Sequence, residues 1–171
     1  MINKYSIRRM KKSDLSTIFE WRNHREIRKR MFNQNKIKFD EHQDWFKEAS
    51  QNPNKVLLIF EANSKPMGYI NFNFNSKKES DWGFYLAPES EKGIGTIMGK
   101  LALNYAFKKL KFNKVMAQAI SSNHASIKYH IKMGFNHKDT LKNSFYNEGK
   151  YEDIMCFELS SNFWNKNAHN L

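Results

Sequence analysis

The chain has 171 residues, 40% hydrophobic and 15% aromatic, which is too rich in core-forming side chains for a disordered segment and enough for one packed domain. Its 29 Lys+Arg against 17 Asp+Glu leave a formal charge of +12, a balance that favours anionic partners such as nucleotides, nucleic acid or anionic lipid. No apolar run approaches a membrane span, and the opening residues Met1 to Tyr5 lack the apolar block of a secretory leader, so the expectation is a cytoplasmic protein.

In chain order, Tyr5 to Met10 alternates like a strand with one buried face. Ser13-Asp14 can cap a helix from Leu15 to about Asn23 that carries Ile18, Phe19 and Trp21. Glu26 to Phe32 reads as a second, basic helix, and Asp40 as the cap of a third that holds His42, Trp45 and Phe46 and ends before Asn52-Pro53. Val56 to Phe60 is a dense β-forming run suited to a central strand. Met67 to Asn75 and Asp81 to Ala87 are the next two strands.

A glycine loop, Glu89-Ser90-Glu91-Lys92-Gly93-Ile94-Gly95-Thr96, then leads into an amphipathic helix from Ile94 to Lys109. Gly93 and Gly95 open backbone conformations closed to other residues, and the helix start adds N–H donors and partial positive charge. Together they make a seat for a phosphate or pyrophosphate. Asn113 to Ile120 reads as a strand, Asn123 to Met133 as a helix stopped by Gly134, and Tyr151 to Leu159 as the final strand. From about residue 161 the tail is polar and expected to fray, with Phe163 and Trp164 as possible docking points. No repeat or linker interrupts the chain, so residues 1–171 read as a single α/β domain.

Scattered lysines with short clusters at Arg25 to Arg30 and Lys108 to Lys111 accompany no nucleic-acid-binding motif. Cys156, the one cysteine, lies in an apolar strand pattern and reads as a buried structural thiol in a reducing compartment. The six histidines form no ligand pair at a metal-binding spacing, so no metal is expected.

This order of elements, with Gly93-Ile94-Gly95 and the segment Asn123-His124-Ala125-Ser126-Ile127-Lys128-Tyr129-His130-Ile131-Lys132-Met133-Gly134-Phe135, resembles the GNAT superfamily of acetyl-CoA-dependent N-acetyltransferases. The resemblance implies a mixed, mostly antiparallel central sheet, flanked by helices and splayed around the cofactor. It implies that Leu86, Lys92, Gly93, Ile94, Gly95, Thr96, Asn123 and Ser126 serve acetyl-CoA, although Ser90 stands where the family carries Arg or Gln. The N–H of Leu86 falls where it would stabilise the oxyanion of acyl transfer. The family's tyrosine, proposed to protonate the departing thiolate, falls on His130, which can also donate a proton near neutral pH.

The acceptor side shows a second signature in Trp21-Arg22-Asn23, Met31-Phe32, His42 to Phe46 and Trp82-Gly83-Phe84-Tyr85. It looks like the nucleotide-sugar N-acetyltransferases of the pseudaminic acid pathway (PseH type), which acetylate the 4-amino group of a UDP-linked amino-deoxy sugar. That resemblance implies Arg22 and His42 at the nucleotide diphosphate, and Met31, Phe32, Trp45, Trp82 and Tyr85 on the rest of the substrate. Gln118 stands where that group carries a glutamate base; a carboxamide cannot take a proton, which leaves water, His130 or bulk solvent for the task. The partner is then a small nucleotide sugar, with no nucleic acid and no membrane, acting on a monomer or homodimer. Other readings are a GNAT enzyme for a protein N-terminus or another small amine, a non-catalytic CoA-binding relative, and a basic nucleic-acid-binding module.

Overall fold

A computed structural model of the chain describes residues 4–169; residues 1–3, on which part of the leader expectation rests, lie outside the described residues, as do 170–171. The strands are β1 (Tyr5–Arg9), β2 (Lys55–Ala62), β3 (Lys65–Phe74), β4 (Glu79–Leu86), β5 (Lys114–Ile120), β6 (Asn136–Asn147) and β7 (Lys150–Ser160). They form a seven-stranded mixed sheet in the order β1-β2-β3-β4-β5-β7-β6. The β1–β2, β2–β3, β5–β7 and β6–β7 pairings are antiparallel, and β4–β5 is parallel. The helices are α1 (Leu15–Asn23), α2 (Arg25–Arg28), α3 (Phe39–Gln51), α4 (Ile94–Asn104), α5 (His124–Lys132) and α6 (Ser161–Asn167). The chain gathers into two compact units: one runs up to Phe74 and adds Gly83–Ala102, the other takes Asn75–Trp82 and everything from Leu103 onward.

In the first unit, Val56 to Phe60 on β2 are all buried, as a strand covered on both faces must be. Met10, Leu15, Ile18, Ala49, Leu57, Ile59 and Tyr69 make its core, with Trp21, Trp45, Phe46 and Tyr85 packed against them. Asp14 does not cap α1 with its side chain, contrary to expectation. It accepts two hydrogen bonds from the Arg8 guanidinium at 2.7 and 2.8 Å and one from the Lys11 N–H at 2.7 Å. Arg8 also donates to Glu61 at 2.7 Å, so a single guanidinium ties β1 to β2 and to the first helical turn.

The second helix is shorter than the sequence suggests and stops at Arg28. The Arg28 side chain takes the carbonyls of Asn23 and Gln34 at 3.0 and 2.8 Å, folding the segment back before another turn can form. Helix α3 begins at Phe39, not after Asp40, because Glu41 reaches back to the Lys38 N–H at 2.7 Å.

In the second unit, Phe107, Phe112, Phe135, Phe157, Leu159 and Trp164 are buried. The helix expected to run straight to Lys109 widens into a π-helical turn over Tyr105–Lys109. Strand β6 was not delimited by its polar sequence, and it pairs with β7 through two register shifts, at His137/Asp139 and Leu141/Phe145. The polar tail is a further helix, α6, whose first turn is capped by Ser160 accepting from the Phe163 N–H at 3.2 Å. Trp164 on it is 1% exposed and donates its indole N–H to Asn104 at 3.0 Å. No helix among the described residues is long and apolar enough to cross a membrane.

Candidate active site

A cavity of about 380 Å³ opens in the first unit over one face of β2, β3 and β4. Strand alternation puts Tyr69, Asn71 and Asn73 of β3 on that face, opposite Ile59, Leu57 and Lys55 of β2 in register. Tyr85 joins them from β4, and Arg22, Met31, Ile37, Glu41, His42 and Trp45 form the walls. Arg22, Met31, His42, Trp45 and Tyr85, far apart in sequence, are thus brought together as the acceptor-side signature requires.

Phe32 is corrected: it is largely exposed and lies outside the cavity lining, because the chain turns back after the shortened α2. Trp82 is corrected too. It is buried in the second unit against Tyr129, His130 and Phe135, on the opposite side of β4 from its neighbour at 83. Lys55, Tyr69, Asn71 and Asn73 line the cavity unforeseen; carboxamides alternating with Ile70 and Phe72 in a strand were the available signal.

Arg22 donates one N–H to the Asn33 carbonyl at 2.7 Å, while its Nη1 is buried with no hydrogen-bond partner among the described residues. Burial holds its pKa below the usual value, and the nearby Arg28 charge adds to that. The one carboxylate in the lining, Glu41, is committed to the Lys38 N–H. A desolvated guanidinium with donors to spare is a seat for an anionic oxygen.

His42 is buried and stacks on Trp45 with ring centroids 5.1 Å apart. Burial lowers its pKa, and the Arg22 charge lowers it further against a bond to the Leu15 carbonyl. Its Nε2 is buried with no hydrogen-bond partner among the described residues, so this ring edge is open to a polar group of a bound molecule.

The glycine loop lies wholly in the same unit. Gly93 has φ +92, and nothing stands within 4 Å of where a Cβ would be, so a bound group can come up against its backbone. Helix α4 follows directly, and Lys92 is exposed beside it. At the end of β4 the Ala87 N–H donates to the Met67 carbonyl at 2.9 Å, so strand alternation turns the Leu86 N–H away from β3. The parallel ladder with β5 covers only Glu79 to Asp81. These features suit the backbone binding and oxyanion contact expected at Leu86 and Gly93 to Thr96.

In the second unit, Asn123 is the N-cap of α5, its side chain accepting from the Ser126 N–H at 3.2 Å. Gln118 is exposed, its amide 3.8 Å from the Cys156 sulfur. His130 is corrected as the proton donor. Its ring is buried, stacked on Phe157 at 5.5 Å between centroids, with Nδ1 2.8 Å from the Ser126 carbonyl oxygen. Burial pushes its pKa down to about 4, so near neutral pH the ring is uncharged and has no acidic proton to give. Among the described residues, no three His, Cys, Asp or Glu side chains are grouped to hold a metal.

Comparison with known proteins fits this geometry. The chain is 27% identical to the acetyltransferase PseH of Campylobacter jejuni over 146 residues, 85% of this chain and 92% of that protein. It is 23% identical to the spermidine N(1)-acetyltransferase of Vibrio cholerae over 172 residues, 97% of this chain and 99% of that one. The fold superposes on the crystal structure of the Vibrio cholerae spermidine N-acetyltransferase in complex with CoA and spermine at a TM-score of 0.88, with 20% identity, covering 94% of this chain and 98% of that one. Residues 5–136 match the acetyltransferase (GNAT) domain family. The chain belongs to the GNAT acetyltransferase family and is an N-acetyltransferase that takes its acyl group from acetyl-CoA.

Proposed function

We propose that the acceptor is a nucleotide-linked amino sugar, acetylated on the 4-amino group of a UDP-linked amino-deoxy sugar of the kind used in pseudaminic acid biosynthesis. One observation carries this reading: Arg22 is half-buried in the cavity wall, its Nη1 is buried with no hydrogen-bond partner among the described residues, and Glu41, the one carboxylate in the lining, accepts from the Lys38 N–H. An anionic acceptor supplies the missing partner. The aromatic surfaces of Trp45, Tyr69 and Tyr85 supply a flat apolar face for a base or a deoxy-sugar methyl. The His42 Nε2 meets a polar group of the same substrate.

When bound, acetyl-CoA supplies an activated thioester to the acceptor amine. The residues of this chain hold and polarise. The backbone around Gly93 to Thr96, with Lys92, receives the pyrophosphate, and Asn123 and Ser126 keep the donor-side roles the family resemblance gives them. The Leu86 N–H, directed away from β3, stabilises the developing oxyanion. The amine must be neutral to attack, and Gln118 cannot deprotonate it, so water carries that proton. The departing thiolate is protonated by a group other than His130, whose ring is held neutral.

A second reading is a polyamine acceptor, favoured by Glu41 in the cavity lining. A linear polycation calls for several uncommitted carboxylates, and Glu41 already caps α3. CoA release should be measured with acetyl-CoA and either a UDP-linked 4-amino sugar or spermidine. Turnover of the sugar supports the proposal; turnover of spermidine alone overturns it.

A further inference from the structure

The cavity floor changes character along β3, from Tyr69 to Asn71 and then Asn73. Asn71 is held there by a neighbour with no side chain. A Cβ on Gly83 of β4 would stand 2.7 Å from Asn71 Oδ1, closer than such atoms approach, so the carboxamide oxygen would have to move. Gly83 is not among the glycines with a positive φ, so its backbone conformation is open to any residue. The backbone does not require glycine at this position. The space filled by the Asn71 carboxamide does.

We propose that Gly83 is a positioning residue for the acceptor: it leaves the room that seats the Asn71 carboxamide on the cavity floor, where that carboxamide hydrogen-bonds a neutral polar substituent of the acceptor. A carboxamide offers both a donor and an acceptor. Such a pair matches hydroxyl and acetamido groups, which also need both. It gives nothing to methylene chains and offers no charge to a phosphate. Arg22 serves the anionic part of the substrate, and this end of the floor reads the sugar. The substituent assignment rests on the nucleotide-sugar reading above; the seating of Asn71 by Gly83 does not.

The test is a double-mutant cycle of Gly83→Ala and Asn71→Ala in the full chain, with steady-state kinetics at saturating acetyl-CoA. The acceptors are a UDP-linked 2-acetamido-4-amino sugar and spermidine. Each single variant should raise the sugar's KM about tenfold, the cost of roughly one hydrogen bond, with kcat within about twofold. Because the clash is with the far end of a flexible side chain, Gly83→Ala should leave the thermal midpoint within about 2 °C. The double variant should match Asn71→Ala alone, since Gly83→Ala has nothing left to displace. Additive effects, or an unchanged KM in Gly83→Ala, overturn the proposal. If the wild type acetylates only spermidine, the nucleotide-sugar reading fails and the substituent assignment fails with it. If the wild type acetylates neither, those two fall as well; in either case a crystal structure of Gly83→Ala with the Asn71 carboxamide displaced supports the seating, and one with it unmoved overturns it.

Discussion

Replacing Arg22 by methionine removes the charge from the cavity wall and keeps most of the apolar stem. Within the protein, the guanidinium donates a hydrogen bond to the Asn33 carbonyl at 2.7 Å, worth about 1 kcal/mol. Against that loss stands relief of burying an unpaired charge, the effect that lowers the Arg22 pKa. The two nearly cancel, so the unfolding free energy should move by no more than about 1 kcal/mol in either direction. Acceptor binding has no such compensation. A charge-assisted hydrogen bond to an anionic oxygen is worth about 1.5–3 kcal/mol, so the KM for a UDP-amino sugar should rise roughly 10- to 100-fold. CoA release read at 412 nm with a thiol reagent, across sugar concentrations at saturating acetyl-CoA, gives KM and kcat, and urea unfolding gives stability. Arg22→Lys should recover part of the loss, because a point charge keeps attraction without the fork. An unchanged KM in Arg22→Met would falsify the anionic-acceptor argument, and a collapse in stability would recast Arg22 as a structural residue.

Three other outcomes follow from the same structure. His130, with its pKa lowered to about 4, should show a flat imidazole chemical shift from pH 8 to pH 5.5, and a titration centred near 6.5 contradicts the buried, neutral ring. Asp14 is held below its ordinary pKa, burial opposing ionisation but the Arg8 bonds and the Lys11 N–H outweighing it. A depressed carboxylate stabilises fully above its unfolded pKa of about 3.9 and loses that as pH falls through the folded value. Asp14→Asn should therefore lower stability at pH 7 by roughly 2–4 kcal/mol and flatten the acid limb below pH 4 in urea titrations; an equally steep limb removes Asp14 as its source. Trp164→Ala should cost about 3–5 kcal/mol by chemical denaturation, since it empties a fully buried site and strands the Asn104 carbonyl; a cost below 1 kcal/mol means α6 does not hold the second unit.

Much of this architecture was legible because periodicity and chain punctuation agreed. Leu15 to Asn23 carried a helical pattern, Val56 to Phe60 a buried-strand run, and Gly134 a stop, and the structure has α1, β2 and a left-handed Gly134 there. Strand β6 was not legible, since an outer strand exposed along most of its length has no buried face to reveal its period. Helix α6 was missed for another reason: seven residues carry too little pattern, and only Ser160 and Trp164 could have announced it. Arg22, His42 and Tyr85 were reached through the resemblance of the acceptor-side signature, and they line one cavity. Asn71 and Asn73 were passed over as polar residues within a strand, when their shared face marked them as floor. The burial of His130 was not legible, because a motif match gives a position in the chain and the aromatic rings that cover it, from β4, β7 and Phe135, are distant in sequence.

The outer strand β6 has a consequence for how this protein behaves at high concentration. A long strand at the margin of a sheet is an open template on which a second molecule can lay its own strand, the first step toward fibrils. Here that template is spoiled twice, because its register jumps at two places, His137/Asp139 and Leu141/Phe145. A second strand laid along β6 would have to break step at both jumps, which makes this edge a poor template for strand addition.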